Sequence, residues 1–188
     1  MLFCLSMVLS SLGSRFIYPQ LSLEGQGFWI IGLSPTSMKR IVLTKFFSSV
    51  VAMIIISVSL ILISSSMLNV AKEIQIITIV LIISVSIAIC GLSTGLGAIF
   101  IDLKQRNPAA IVSGFGGTLN LVLSLFFMLV SIVPTGLILH LEIVGKINHH
   151  IADKLMIMAG LWLLILLFCS SILPLVVGIK ALNKTRGS

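Results

Sequence analysis

The sequence is poor in charge: only 9% of its 188 residues are charged, and five of them are acidic. A soluble domain carries about 25% charged residues, so this chain lacks the polar surface that water requires. Its mean hydropathy is +1.24, and its uncharged runs are long enough to cross a hydrocarbon core of about 30 Å. Because these runs are unbroken rather than alternating, we predict an all-α, helical integral membrane protein.

Motifs for catalysis and metal binding are scarce. The sequence has no GxxxxGK[ST] for nucleotide phosphates and no HExxH. GLSTG at 91–95 fits the GxSxG pattern, but no His lies on the same side as a candidate nucleophile. Cys4, Cys90 and Cys169 have no CxxC spacing and predict neither a disulfide nor a metal site. The adjacent His149 and His150 do not face one another on a helix, and no third ligand is placed beside them. We therefore expect no enzymatic activity, no cofactor and no metal.

The basic residues predict an orientation in the membrane. They lie at segment ends rather than on one compact face, which argues against a nucleic-acid partner despite the net charge of +7. Nine fall on one side: Arg15, Lys39, Arg40, Lys45, Lys104, Arg106, Lys180, Lys184 and Arg186. Three fall on the other: Lys72, Lys146 and Lys154. By the positive-inside rule the first side is cytoplasmic, so we expect a multi-pass protein of the inner membrane with a cytoplasmic C-terminus.

We predict one transmembrane bundle with four complete membrane helices. Their limits are 35–68, 74–101, 109–139 and 155–179, and their crossing parts are 46–68, 78–100, 111–139 and 156–178. Residues 1–13 would span only about 20 Å, so we expect them to be the end of a truncated N-terminal helix. Residues 140–154 form the longest polar loop, and 180–188 form a cytoplasmic tail.

Small and polar residues inside the spans are candidates for helix packing. The pairs Gly91/Gly95 and Ser113/Gly117 have the i, i+4 spacing that lets membrane helices approach closely. Asn120 lies about 16 Å into its span, where an amide needs a partner on a neighbouring helix or lines a substrate pathway. No charged residue lies in the crossing parts, which disfavours an ion-driven carrier.

The stretch 15–34 is too polar to cross and too apolar for a free loop. Ser22 can cap a short helix, and Glu24 in its first turn is favoured by the helix dipole. We expect an element at the cytoplasmic membrane face, and composition alone leaves open whether it is a simple connector or a docking element. The expected membrane-interface anchors are Tyr18, Lys39 and Arg40.

Residues 15–47, RFIYPQLSLEGQGFWIIGLSPTSMKRIVLTKFF, resemble the S-L-E-G-x-x-F-W…S-P-x-S…K-F segment of ABC-2-type exporter permeases, a large ABC exporter group. The matching positions are Ser22, Leu23, Glu24, Gly25, Phe28, Trp29, Ser34, Pro35, Ser37, Lys45 and Phe46. Residues 102–125, DLKQRNPAAIVSGFGGTLNLVLSL, are similar to a later cytoplasmic turn and glycine-bearing helix of the same permeases. Because such permeases are longer, the chain resembles their C-terminal part.

The resemblance implies a permease subunit, or a fragment of one, in an ATP-driven exporter whose ATPase is a separate chain. The residues it implies for coupling to that ATPase are Glu24, Gly25, Phe28 and Trp29. Further implied partners are the lipid bilayer and either the missing N-terminal helices or a second permease copy. The alternative is a small multi-span membrane protein that serves assembly or scaffolding and transports nothing.

Overall fold

The computed structural model describes residues 2–27, 37–68, 72–103, 105, 107–144 and 149–186. Within these ranges the chain is mostly helical and contains no strand. Five helical segments are long and apolar enough to cross a membrane: Leu2–Glu24, Met38–Met67, Ile74–Ile99, Phe115–Glu142 and Lys154–Leu182. The predicted class, a helical multi-span membrane protein, is confirmed.

The described residues form six α-helices. They are α1 (Leu2–Leu12), α2 (Met38–Met67), α3 (Lys72–Ile99), α4 (Pro108–Ser113), α5 (Phe115–Ile143) and α6 (His149–Arg186). A π-helical turn at Gly13–Ile17 and two 3₁₀ turns at Tyr18–Gln20 and Ser22–Gly27 continue α1. We call residues 13–27 the elbow.

The N-terminal segment is longer than the predicted partial helix at 1–13. Helical structure continues through the elbow, and Leu2–Glu24 has 23 residues, enough to cross. Two features hid this continuation. Arg15 suggested the end of the span, but its charged side chain is exposed at the side of the helix rather than buried in it. Pro19 suggested a helix break, but it lies in a 3₁₀ turn that does not need the N–H that proline lacks.

The predicted third span, 109–139, is two helices rather than one. Asn107 caps α4 as expected, since its Oδ1 accepts a hydrogen bond from the Ala109 N–H at 3.0 Å. Gly114 then adopts an extended conformation, with φ −67° and ψ 169°, and α5 starts afresh. The predicted packing pair Ser113/Gly117 is therefore divided between the two helices. Gly117 packs against the Val112 backbone.

The polar loop and the tail are shorter than predicted. Helix α5 runs to Ile143 and α6 begins at His149, so much of 140–154 is helical. Helix α6 continues to Arg186 and absorbs most of the tail 180–188. Its 38 residues extend about 57 Å, longer than the bilayer is thick, because polar residues continue a helix outside the hydrocarbon region wherever no breaker stops them.

Helix α3 is the centre of the bundle. Its membrane-length window is 61% buried, against 17–44% for the other four. Gly91 and Gly95 lie where α6 approaches: a Cβ on Gly91 would meet Ser171, and one on Gly95 would meet the backbone of Pro174. Gly178 of α6 in turn faces the Gly95 carbonyl. Small residues on both helices thus bring the backbones together.

We predict that Gly95→Ala destabilises the protein, because the added methyl would overlap the Pro174 backbone, which cannot move as a side chain can. Overpacking of this kind costs about 1–3 kcal/mol, and each kcal/mol lowers Tm by about 2–4 °C in a chain of this size. The measurement is thermal unfolding in detergent. Gly160→Ala on α6 is the matched control, since nothing lies within 4 Å of its Cβ position; equal Tm values for the two variants would contradict the packing.

Candidate functional site

The elbow is attached to two neighbouring helices by polar contacts. Gln20 Oε1 accepts a hydrogen bond from the Ser49 hydroxyl of α2 at 3.1 Å. Ser22 Oγ accepts one from the Asp102 N–H, also at 3.1 Å, in the turn that follows α3. The Ser22 hydroxyl, expected to cap the elbow's own helix, thus bonds to a turn 80 residues away. These contacts join the first half of α2, the turn after α3 and the elbow.

An ion pair completes this attachment. Lys45 Nζ lies 2.7 Å from Glu24 Oε1, with the lysine side chain 30% exposed and the glutamate side chain 19% exposed. The second carboxylate oxygen, Oε2, is buried and bonds to no atom of the described residues. Low exposure makes the pair stronger than one in open water, because fewer solvent dipoles screen it. The carboxylate at the end of the elbow is therefore fixed to α2.

Tyr18, predicted to be a membrane-interface anchor, is buried inside the bundle. Its side chain is only 3% exposed. Its carbonyl group lies against Gly97 of α3, and its hydroxyl lies against Gly116 of α5. Gly97 and Gly116 thus leave a slot that admits the Tyr18 backbone beside α3 and the Tyr18 hydroxyl beside α5. The amphipathic character of tyrosine predicted an interface position but could not reveal this slot.

Of the other predicted coupling and anchor residues, Gly25, Lys39 and Arg40 lie around the same end of the bundle as the elbow. Gly25 belongs to the last turn of the elbow, while Phe28 and Trp29 lie outside the described residues. Lys39 and Arg40 are exposed on the first turn of α2. They border an open groove of about 720 Å³ along that helix.

The described basic residues divide between the two ends of the bundle. The elbow contacts place the following beside one another at one end: Arg15, Lys39, Arg40 and Lys45. Lys180 is at this end too, because Gly178 of α6 touches Ala98 near the end of α3. Lys72 and Lys154 lie at the opposite ends of the same two helices. The predicted charge asymmetry therefore corresponds to two physical ends.

Inside the bundle, Asn120 bonds to two other segments. Its Nδ2 donates to Ser14 Oγ of the elbow and to Ser93 Oγ of α3, each at 3.1 Å. All three side chains are fully buried. The sequence left two roles open for Asn120, a partner on a neighbouring helix or a position in a substrate pathway. These contacts provide the partner. The serine partners were not predicted; the regular spacing of Ser6, Ser10 and Ser14 is the signal that could have identified a polar face on α1.

The described residues contain no group of three or more His, Cys, Asp or Glu side chains that could hold a metal ion. The polar contacts described above are an ion pair, hydroxyl hydrogen bonds and the buried amide of Asn120. This arrangement can position helices and transmit movement between them.

The chain matches the model of the family described as "Putative ATP-binding cassette" over residues 2–186. It belongs to this family. The searches of curated proteins and of solved structures found no match. Together with the five membrane-length helices, membership makes the chain an ABC-associated multi-pass membrane protein.

For this ABC-family member we predict that Glu24→Lys and Lys45→Glu each lower Tm, because each leaves two like charges facing one another. Loss of a partly buried charged hydrogen bond costs about 1–2 kcal/mol. The double variant E24K/K45E restores the opposite charges and should regain most of the lost Tm.

Lys39→Glu is the control, because Lys39 is an exposed cation on the same helix. Combining it with Glu24→Lys should restore nothing. Equal recovery in the two double variants would contradict a specific Glu24–Lys45 pair.

Proposed function

We propose that the chain is the membrane-spanning permease subunit of an ATP-driven exporter and that a separate chain hydrolyses ATP. The observation that carries this proposal is an ABC-family match over residues 2–186 in a chain with five membrane-length helices. An ATP-binding cassette places its phosphate loop between a strand and a helix. The sequence has no GxxxxGK[ST], and the described ranges hold no strand. These features favour the membrane partner of a cassette over the cassette itself.

In this proposal the elbow and the residues after it receive movement from the ATPase. The elbow contacts α2 through Gln20 and Glu24 and the end of α3 through Ser22. A displacement of the elbow would therefore act on both helices together. The proposed docking residues are Glu24, Gly25, Phe28 and Trp29. Aromatic side chains are the residues that most often carry binding energy at interfaces.

The proposed orientation places this end in the cytoplasm of a cell whose inner membrane holds the protein. The sequence assigns nine of the twelve basic residues to this side, and cytoplasmic loops carry an excess of Lys and Arg. The C-terminus, which follows Lys180 at the same end, is cytoplasmic as well. An ATPase that uses cytoplasmic ATP can reach the elbow only from this side.

Association with an ATPase tests the docking role. We expect Trp29→Ala and Glu24→Arg to reduce the amount of nucleotide-binding protein that co-purifies with the tagged chain from native membranes. Truncating an aromatic anchor at an interface costs about 2 kcal/mol or more, which is roughly a 30-fold loss of affinity. The measurement is the molar ratio of the two chains after mild detergent extraction.

Trp162→Ala is the matched control, since Trp162 is a half-exposed side chain in the middle of α6. It should leave the ratio unchanged. Recovery of the same ATPase ratio from all three variants would remove the docking assignment. Recovery of no nucleotide-binding protein with the native chain would favour the assembly or scaffolding alternative.

Cysteine labelling tests the orientation. In a chain with Cys4→Ala, Cys90→Ala and Cys169→Ala, we expect Lys39→Cys to react with a membrane-impermeant maleimide only in inside-out vesicles. Lys154→Cys should react only in right-side-out vesicles, because it lies at the other end of the bundle. The reverse pattern would place the elbow outside the cell and exclude coupling to a cytoplasmic ATPase.

A further inference from the structure

Three buried polar atoms in the interior have no hydrogen-bond partner among the described residues. They are Ser10 Oγ, Asn120 Oδ1 and Ser124 Oγ. The three side chains are at most 1% exposed. An unpaired polar atom in an apolar interior costs about 1–3 kcal/mol, so three of them in one region indicate a partner other than a protein side chain.

The helix register places the three residues on neighbouring turns of the two segments. Two contacts define an antiparallel register between the N-terminal segment and α5: Tyr18 meets Gly116, and Ser14 meets Asn120. The second contact lies four residues back along the N-terminal segment and four residues forward along α5. One further turn in the same direction leads to Ser10 on α1 and Ser124 on α5. Both hydroxyls therefore lie one turn from the Asn120 amide, on the side away from the basic end.

Other buried serines satisfy their hydroxyls in a way that these two do not. Ser6, Ser86 and Ser131 each donate to the backbone carbonyl four residues earlier, at 2.7–2.9 Å. This bond is the usual solution for serine in a membrane helix. Ser10 and Ser124 make no such bond, so their hydroxyls remain available to a group between the helices.

We propose that a single water molecule binds between α1 and α5, held by Ser10, Asn120 and Ser124. The water donates one hydrogen to Asn120 Oδ1, which can only accept, and one to a serine Oγ. It accepts a hydrogen from the other serine hydroxyl. Three hydrogen bonds are typical of a buried water, and this assignment leaves none of the three protein atoms unpaired.

A metal cation fits these atoms less well than water does. All three ligands are neutral, and the sequence has no charged residue in 1–14 or 111–139. A cation at this depth would lack a counter-charge, and the cost of removing an unpaired ion from water is far larger than that of a neutral molecule. The bound water instead extends the contact that Asn120 already makes with Ser14 and Ser93, and it joins the N-terminal span to α5 independently of any transport activity.

The direct test is a crystal structure of the full chain grown in a lipid phase, at a resolution near 2 Å. We expect a density peak about 2.7–3.0 Å from each of the three oxygens, the distance range of hydrogen bonds to water. A direct bond between the two serines would overturn the proposal. Density showing both hydroxyls on their own helix carbonyls, with no peak between the helices, would also overturn it.

A thermal double-mutant cycle provides a second test. Ser10→Ala and Ser124→Ala should be coupled through the shared water, so that the double variant departs from the sum of the single Tm shifts by at least about 2 °C. Ser6→Ala and Ser131→Ala are the matched controls, because these serines are equally buried but bond within their own helices. Their shifts should add.

Additive shifts for Ser10 and Ser124 as well would contradict the shared water. The chain could also have a higher Tm in sodium chloride than in choline chloride. If Ser10→Ala abolished that difference, the site would hold a cation and the proposal of a water would be overturned. The density test uses the native chain and stands even if a variant fails to fold.

Discussion

Hydrocarbon offers no hydrogen bonds, and the structure depends on this constraint. Every backbone group in a span must find its partner within the chain, which is why the described spans are helical. The same constraint acts on side chains. Most hydroxyls in the spans bond to carbonyls of their own helix, and the buried amide of Asn120 is placed between two serines from other segments. Polar contacts therefore determine which helices are neighbours.

Apolar packing then sets how closely those neighbours approach. Lipid tails are as apolar as the helices, so helices gain little from hiding hydrophobic surface from them and associate where small residues allow close contact. Gly91 and Gly95 provide such a face on α3, and α6 lies against it. Tyr18 uses two further glycines to enter the space between α3 and α5. The central position of α3 follows from these small residues.

The sequence predicted the fold class and most helices, because long uncharged runs have few alternatives in a membrane. It also predicted the Asn107 cap, since an Asn-Pro pair at a helix start acts locally. The sequence-based boundaries differ from the structure for local reasons. Gly13 and Arg15 predicted the end of a helix, because a glycine and a charge often end a membrane span, yet the helix continues through them. Gly114 was assigned to the middle of a span, but it is extended and separates α4 from α5. The pairing of Glu24 with Lys45, and of Asn120 with Ser14, depends on tertiary contacts that no local pattern contains. Phe28 and Trp29 stay predictions.

The central claim is that this chain spans the membrane and that a separate chain hydrolyses ATP. The most direct test is the rate of MgATP hydrolysis by the purified chain alone, compared with that of the complex isolated from native membranes. The account predicts background hydrolysis for the chain alone and hydrolysis well above background for the complex. Hydrolysis by the chain alone, at a rate that rises in proportion to its concentration, would contradict the account.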